Sequence, residues 1–254
     1  MLEVIQVPLL SDNYSYIIID TSSKLIGCID PAVSEELIKV LQSNDLKLDF
    51  IFSTHHHYDH VGVNLELKEK YKCKVVGSFS DSHRIPGIDI KLKENDFFSI
   101  GDSKFRVIET PGHTVGHICF YFEKECYLFA GDTIFSLGCG RLFEGSYKQM
   151  VLSITKLKSL PKETKIFCGH EYTQSNAKFA LYLDPKDSLL RKKINEIDSK
   201  ISNSLSTVPS SMEEELILNP FMKFDDEKYL RRIGIKNISN VDNFKKIREM
   251  KDNF

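Results

Sequence analysis

One short stretch constrains this chain more than any other: HHHYDH, which follows the apolar, strand-like run LDFIFST. In an extended backbone alternate side chains point the same way, so His55 and His57 face together and His56 faces away. After a turn, the neighbouring Asp59 and His60 can reach a second point nearby. Because imidazole and carboxylate donors suit Zn²⁺, Fe²⁺ or Mn²⁺, the stretch predicts a metal site.

Three later apolar runs also end in a donor. VIETPGH ends at His113, YLFAGD at Asp132 and KIFCGH at His170. Strand ends that meet at one edge of a sheet form a ligand site, and the glycine before each donor allows a tight turn. Asp132 can offer one oxygen to each of two ions. The seven donors are too many for one tetrahedral ion and suit a pair of ions roughly 3.5–4 Å apart.

Other histidines and the cysteines have simpler interpretations. His117 begins an apolar run, which favours a structural or supporting role, and His83 lies in a loop-like segment. The six cysteines include no C-x-x-C pair, and most lie in apolar runs. We predict buried thiols in a reducing cytosol.

Composition limits the class of protein. With 254 residues, 41% hydrophobic and 28% charged, the chain can bury a sizeable core without disulfide or metal staples. The formal net charge of −2 argues against a protein built to hold nucleic acid or an anionic membrane. The first residues lack the features of a signal peptide, and no apolar run is long enough to span a bilayer. We therefore predict a cytoplasmic protein.

The texture of the chain changes near residue 173. Before it, short runs rich in β-branched and aromatic residues alternate with helical periodicity, as in SEELIKVLQ, which Ser34 could cap. After it, strand signals stop. The sequence predicts a mixed α/β domain over 1–173 and a helical domain over 174–254, where one amphipathic helix is indicated by Leu190, Ile194, Ile197 and Ile201.

These motifs resemble those of the metallo-β-lactamase superfamily. The pattern T-H-x-H-x-D-H begins at Thr54, and PGHTVGH, AGDT and CGHEYT follow in the expected order. Along nearly its whole length the chain further resembles the hydroxyacylglutathione hydrolase family, through DNYSYII, GDTIFSLGCGRLFEG, GHEYTQSNAKFA, NPFM and REMKDNF. The resemblance implies an αβ/βα sandwich followed by a helical substrate-binding domain.

The resemblance also implies roles for individual residues. Two divalent metal ions are expected, zinc in the first place and iron or manganese as alternatives. One ion would be held by His55, His57 and His113. The second would be held by Asp59, His60 and His170, and Asp132 would bridge the two. The substrate-binding residues by the same resemblance are Arg141, Phe143, Tyr172, Arg248 and Lys251.

The implied reaction is hydrolysis of an S-(2-hydroxyacyl)glutathione, typically S-D-lactoylglutathione, to glutathione and D-lactate. A metal-bridging hydroxide would attack the thioester carbonyl, with Asp59 and Asp132 as the catalytic carboxylates. Glutathione carries two carboxylates, which arginine can bind in bidentate fashion. Some relatives have lysine and tyrosine where this chain has Arg141 and Phe143, so one polar contact is in question. The expected partner is this small molecule, and the expected state is a monomer.

Other functions compete with this one. A β-lactamase or a general thioesterase of the same fold is disfavoured by the helical C-terminal region. A sulfur dioxygenase would use one iron held by two histidines and one aspartate, and His170 argues against it. A nucleic-acid-processing enzyme does not fit the net charge. A metal-binding protein without activity is a further alternative, and it would need no open coordination position. A serine nucleophile is not indicated, because the sequence has no G-x-S-x-G elbow.

Overall fold

The computed structural model describes all 254 residues of the chain. It contains fourteen strands: β1 Leu2–Leu9, β2 Asn13–Asp20, β3 Ile26–Ile29, β4 Phe50–Ser53, β5 Lys74–Ser78, β6 Ile88–Leu92, β7 Phe97–Ile100, β8 Ser103–Glu109, β9 Ile118–Phe122, β10 Tyr127–Gly131, β11 Ile134–Phe135, β12 Gly138–Cys139, β13 Lys165–Cys168 and β14 Ser210–Ser211.

Nine α-helices and one 3₁₀ turn complete the structure. They are α1 Ser34–Ser43, α2 Tyr58–Val61, α3 Asn64–Tyr71, α4 Tyr147–Lys158, α5 Thr173–Leu183, α6 Ser188–Ser202, α7 Met212–Leu218, the 3₁₀ turn Pro220–Met222, α8 Glu227–Arg232 and α9 Asn240–Asp252. The proposed cap of α1 was wrong, because Ser34 is already helical and Val33 occupies the N-cap position without a side-chain hydrogen bond.

The strands form two six-stranded sheets that pack face to face. The first has the order β1-β2-β3-β4-β5-β6 and the second β14-β13-β10-β9-β8-β7, while β11 and β12 form a small separate ribbon. Aromatic rings fill the space between the sheets, and Phe52 from the first sheet meets Phe105 and Phe120 from the second at centroid distances of 5.3 and 5.7 Å. Such edge-to-face packing adds to the burial of these large side chains.

Helices cover the outer face of each sheet. Leu37 and Leu41 of α1 and Leu67 of α3 pack on the first sheet in one apolar cluster. On the second sheet, α4 contributes Ile154, and its neighbours in a cluster of 23 buried residues include Phe244 of α9. The layers are therefore those of an αβ/βα sandwich, and the C-terminal helices share a core with the second sheet.

The chain after residue 173 is helical except at β14. Ser210 and Ser211 pair in antiparallel fashion with Ile166 and Lys165 of β13 and so cover the edge of the second sheet. The predicted stripe on α6 is partly right: Leu190 and Ile197 are buried. None of the helices is long and apolar enough to cross a membrane.

Strand ends converge where the two sheets meet. The strands β8, β10 and β13 run in the same direction, because β9 is antiparallel to β8 and β10, and β13 is parallel to β10. Their carboxyl ends therefore lie at one edge. At that edge an isolated bridge joins Asn13 of the first sheet to His170, and Tyr14 N–H donates to the carbonyl oxygen of Gly169 at 2.8 Å.

Candidate active site

Three imidazoles from two strand ends face one another at this edge. His57 Nδ1 lies 3.1 Å from His55 Nε2 and 3.0 Å from His113 Nε2. His55 directly follows Thr54 at the end of β4, and His113 lies in the turn after β8. The facing of His55 and His57 is the one that an extended backbone predicts.

A second group lies beside the first. His170 Nε2 is 3.5 Å from Asp59 Oδ2, and His60 Nε2 is 3.6 Å from the same oxygen. The short helix α2 supplies Asp59 and His60, and the end of β13 supplies His170. One ligand atom from each of these three residues lies within 4.8 Å of the others.

Asp132 stands between the two groups. Its Oδ1 lies 3.5 Å from His60 Nε2, and its Oδ2 lies 3.5 Å from His113 Nε2 and 3.3 Å from His170 Nε2. Gly169 makes this approach possible, because a Cβ at that position would come within 2.4 Å of Asp132 Oδ1. The structure thus brings all seven predicted donors together.

Burial sets the charge state of the first group. It lowers the pKa of His57 to about 4, and it places the pKa of His55 well below the ordinary value. The pKa of His113 is lowered by the same cause. These rings are therefore neutral at pH 7 and keep a lone pair, which is the form that a metal ion binds.

The second group balances opposite charges. Burial would lower the pKa of His60, but Asp132 and Asp30 outweigh burial and raise it to about 9. Burial would likewise raise the pKa of Asp132, yet His60 and His170 hold it well below its usual range. A proton on His60 and a cation between these groups are alternative ways to balance the Asp132 carboxylate.

The donor set fits a cation. His60 Nε2 and Asp132 Oδ1 are buried without any hydrogen-bond partner, and both point into the cluster. Buried polar atoms without partners are costly, and metal coordination would satisfy them. Histidine nitrogens and carboxylate oxygens are ligands for divalent transition metals. The cluster is therefore suited to divalent metal ions.

Three supporting residues were not identified from the sequence. Asp30 Oδ2 lies 3.1 Å from His60 Nδ1 and also accepts from Thr54 Oγ1 at 2.7 Å, and Asp12 Oδ1 lies 2.8 Å from His170 Nδ1. Such partners fix the orientation of a ligating imidazole. Asp30 ends an apolar run, the same signal that marked the donors, whereas nothing local distinguishes Asp12. The third, Asp81, contacts His56, which lies between the donors His55 and His57.

The remaining histidines lie outside the cluster, as predicted. His117 Nε2 accepts from the backbone N–H of Asp132 at 3.1 Å, and its Nδ1 faces the Thr110 hydroxyl at 2.9 Å. His117 therefore supports the backbone of a donor. His56 turns away, and its Nδ1 lies 2.9 Å from Asp81 Oδ2. His83 is exposed in a loop.

A cleft of about 610 Å³ joins the cluster to the predicted substrate-binding residues. The lining includes five donors of the cluster together with Arg141, Phe143, Tyr172, Arg248 and Lys251. These five come from a loop, the start of α5 and the last helix. Three of the five are cationic, and Asp252 is the acidic residue beside them.

The contacts of these residues differ. The ring of Tyr172 stacks on His170 at 4.7 Å, and Phe143 meets the ring of His113 edge-on at 5.2 Å. Arg248 is only 5% exposed. It donates to the carbonyl oxygen of Cys139 and to Asp252. Lys251 Nζ donates to the carbonyl oxygen of Ser175 at 3.2 Å.

Comparison with known proteins first defines the class. Residues 12–170 match the family model of the metallo-β-lactamase superfamily. ETHE1 from Myxococcus xanthus has a similar fold, with a TM-score of 0.70 and 24% identity over 98% of this chain and 90% of that one. The BLEG-1 B3 metallo-β-lactamase has a TM-score of 0.66 and 24% identity over 87% of this chain and 99% of that one. The fold is that of the metallo-β-lactamase superfamily.

The rest of the chain and two relatives narrow the assignment. Residues 171–254 match the model of the hydroxyacylglutathione hydrolase C-terminus. A hydroxyacylglutathione hydrolase from Methylococcus capsulatus is 45% identical over 254 residues, which cover 100% of this chain and 99% of the relative. A hydroxyacylglutathione hydrolase from Pelagibacter ubique is 46% identical over 96% of this chain and 97% of the relative. This chain belongs to the hydroxyacylglutathione hydrolase family, so the resemblance seen in the motifs is confirmed.

Proposed function

We propose that this protein hydrolyses the thioester of an S-(2-hydroxyacyl)glutathione, with S-D-lactoylglutathione as the reference substrate, to glutathione and a 2-hydroxy acid such as D-lactate. The observation that supports this most directly is the cleft, because one cavity is lined both by metal-type donors and by three cationic side chains. Relatives over the full length that are named hydroxyacylglutathione hydrolases give independent support.

The metal ligands in this proposal are the seven donors of the cluster. His55, His57 and His113 would hold one ion, His60, His170 and Asp59 the other, and Asp132 both. We propose two divalent ions, with zinc first and iron or manganese as alternatives. Bound ions would supply Lewis acidity, which lowers the pKa of water from 15.7 to roughly 7 and polarises a carbonyl oxygen.

The protein's own residues position the reactants. Asp59 is half-exposed in the cleft, and its Oδ2 accepts from Asn13 Nδ2 at 3.1 Å. This contact fixes the carboxylate beside His60 and His170, where it would orient an attacking water. Burial raises the pKa of Tyr172 to about 12, so its hydroxyl stays protonated and can donate to the substrate. Arg141 and Lys251 line the cleft and would bind the carboxylates of glutathione.

No side chain of the cleft is a good nucleophile. Cys139 lines the cleft, but burial raises the pKa of its thiol to about 11 although Arg248 lies beside it. It is therefore protonated at neutral pH and unreactive. Attack by water fits this arrangement, and the glutathione thiolate can leave without a dedicated acid.

We also propose that residues 1–173 form the metal-binding domain and residues 174–254 the helical substrate-binding domain. We further propose that the protein is a monomer and that it is cytoplasmic. The seven donors and the five substrate-side residues lie together without a residue from a second copy of the chain, which supports a complete site in a monomer. All six cysteines are unpaired and five are buried, which agrees with a reducing compartment. Size-exclusion chromatography with light scattering tests the monomer, and a dimer would contradict it.

The test is hydrolysis of S-D-lactoylglutathione by the purified protein, with the metal content measured on the same sample. We expect loss of the thioester with about two metal ions per chain. A thioester without glutathione serves as the control substrate and should react poorly. No hydrolysis with both sites filled would refute the proposed substrate, and one iron per chain would refute the two-metal assignment.

A further inference from the structure

An ion-pair network surrounds the histidine that the metal cluster does not use. His56 Nδ1 lies 2.9 Å from Asp81 Oδ2, and its Nε2 lies 3.6 Å from Glu144 Oε1. Arg84 joins the two carboxylates: its Nε donates to Asp81 Oδ1 at 3.0 Å, and its Nη1 and Nη2 both donate to Glu144. Asp81 is fully buried, so its charge needs these partners.

The network ties together three loops at the edge of the site. His56 lies between two donors of the cluster, and Asp81 and Arg84 belong to the turn after β5. Glu144 belongs to the turn that carries Arg141 and Phe143. Because the guanidinium of Arg84 grips Glu144 with two nitrogens, that turn is fixed in orientation as well as in distance.

The same turn is also attached to the loop of His113. The backbone N–H groups of Phe143 and Gly145 donate to the carbonyl oxygens of His113 and Gly112 at 3.1 and 3.0 Å, and Glu144 Oε2 accepts from the N–H of Val115 at 2.9 Å. The carboxylate of Glu144 is therefore the point where two loops and Arg84 meet.

Gly116 provides space for this arrangement. A Cβ at residue 116 would come within 2.2 Å of the Asp81 carboxyl carbon, so a larger residue would push Asp81 out of its place. This glycine belongs to the PGHTVGH motif but supplies no donor to the cluster. Its position is explained by the network instead.

We propose that Arg84 and Glu144 are positioning residues, which hold the turn of Arg141 and Phe143 in the orientation that binds the glutathione part of the substrate. This inference rests on the proposed function. Neither residue lines the cleft, so both act through the turn. The donors His60 and His170 have supporting partners outside this network, Asp30 and Asp12. His113 shares the turn, because its Nδ1 lies 2.7 Å from the carbonyl oxygen of Arg141, but the backbone bonds of this turn to Gly112 and His113 do not involve Arg84, so we expect metal binding to persist without it.

The test compares Arg84→Ala with wild type in three measurements: KM and kcat for S-D-lactoylglutathione, metal content, and calorimetric binding of glutathione to the metal-loaded protein. We expect KM and the Kd for glutathione to rise about tenfold, with kcat and metal content within about twofold of wild type. Arg84→Lys, which keeps the charge, should recover part of the affinity. A general loss of structure would not separate KM from kcat in this way.

The matched control is Arg106→Ala. The side chain of Arg106 is 24% exposed, close to the 26% of Arg84, and it pairs with Glu123 beside the second sheet at 2.8 Å. The control should leave KM and glutathione binding unchanged. In the double variant Arg84→Ala/Glu144→Gln, the effects should be less than additive, because both substitutions break the same contact. Glu144→Gln alone also gives a readout if Arg84→Ala does not fold.

Two results would overturn the inference. One is a folded Arg84→Ala protein whose KM and glutathione affinity stay within twofold of wild type. The other is an unchanged KM with reduced kcat and metal content, which would assign the network to the cluster. A wild-type protein that neither binds glutathione nor cleaves its thioester would refute the proposed function and this inference together. A functional wild type beside an unaffected variant refutes the inference alone.

Discussion

Two sets of residues meet at the cleft and are built in different ways: the seven donors, here called the metal end, and the five substrate-side residues, here called the substrate end. At the metal end the donors lie on strand ends and short turns, and His55, His60 and Asp132 are each less than 7% exposed. At the substrate end Arg141 and Phe143 are exposed on a turn, and Lys251 reaches in from the last helix. Arg248 is the exception among the substrate-side residues, since it is 5% exposed and is held by Cys139 and Asp252. Charges removed from water need such fixed partners, whereas long side chains near the surface, such as Arg141, can meet a flexible anion without them.

The largest effect is expected from the metal end. Asp132→Ala removes the carboxylate that contacts His60, His113 and His170 at once. We expect thioester hydrolysis to fall by more than about a thousandfold, because several kcal/mol of charge stabilisation are lost. Hydrolysis and metal content are measured together. Glu36→Ala, an exposed carboxylate on α1, is the control, and a variant with full metal content and substantial activity would contradict the shared role of Asp132.

A smaller and different effect is expected at the substrate end. Arg141→Ala should raise KM by roughly tenfold to a hundredfold, the range for loss of a charged hydrogen bond, and should leave kcat and metal content near wild type. Steady-state kinetics and metal analysis separate these quantities. Arg231→Ala removes an arginine that is 79% exposed on α8 and should change neither. If Arg141→Ala lowers metal content, the two ends are not independent.

The smallest effect on activity is expected at the support behind the cleft. Glu215 of α7 is fully buried and accepts from the N–H of Leu137 and from Asn219 Nδ2 at 2.9 and 2.8 Å. Burial raises the pKa of its carboxyl from 4.5 to about 7. The folded protein therefore holds a proton that the unfolded chain releases above pH 4.5, so Glu215 lowers stability as pH rises from 4.5 to 7, with no further change above that range.

Glu215→Gln removes this dependence and keeps an acceptor oxygen. Relative to wild type, the variant should gain on the order of 2–3 kcal/mol in free energy of unfolding between pH 4.5 and 7, followed by a constant difference. Denaturant unfolding of the metal-free proteins across this range measures it. Parallel stability curves for the two proteins would show that the carboxyl ionises normally, and turnover at neutral pH should be similar in both.

The same contrast explains what the sequence could predict. The convergence of the seven proposed donors was predictable, because strand ends meet at a sheet edge and because alternation separates His55 and His57 from His56. Asp12 and Asp81, which contact His170 and His56, were not predicted, since a local pattern does not reveal contacts between distant loops. The substrate-side residues came from the family resemblance alone.

The C-terminal region shows a related limit of prediction from the sequence. The stripe on α6 correctly predicted an amphipathic helix, but Ile201 is 37% exposed because its end of the helix lies beyond the core. The two-residue strand β14 had no signal in the sequence, as its pairing depends on the free edge of β13.

The shared core of the second sheet and the C-terminal helices bears on how this protein can be engineered. Phe221 and Phe244 pack in the same cluster as Ile154 and Ile166, and β14 covers the edge of β13. A chain cut after residue 173 would expose that apolar surface and an unpaired strand, both of which promote aggregation. Grafting the helical part from a relative would thus require matched changes in the sheet, because the two parts share one apolar core and cannot be exchanged independently.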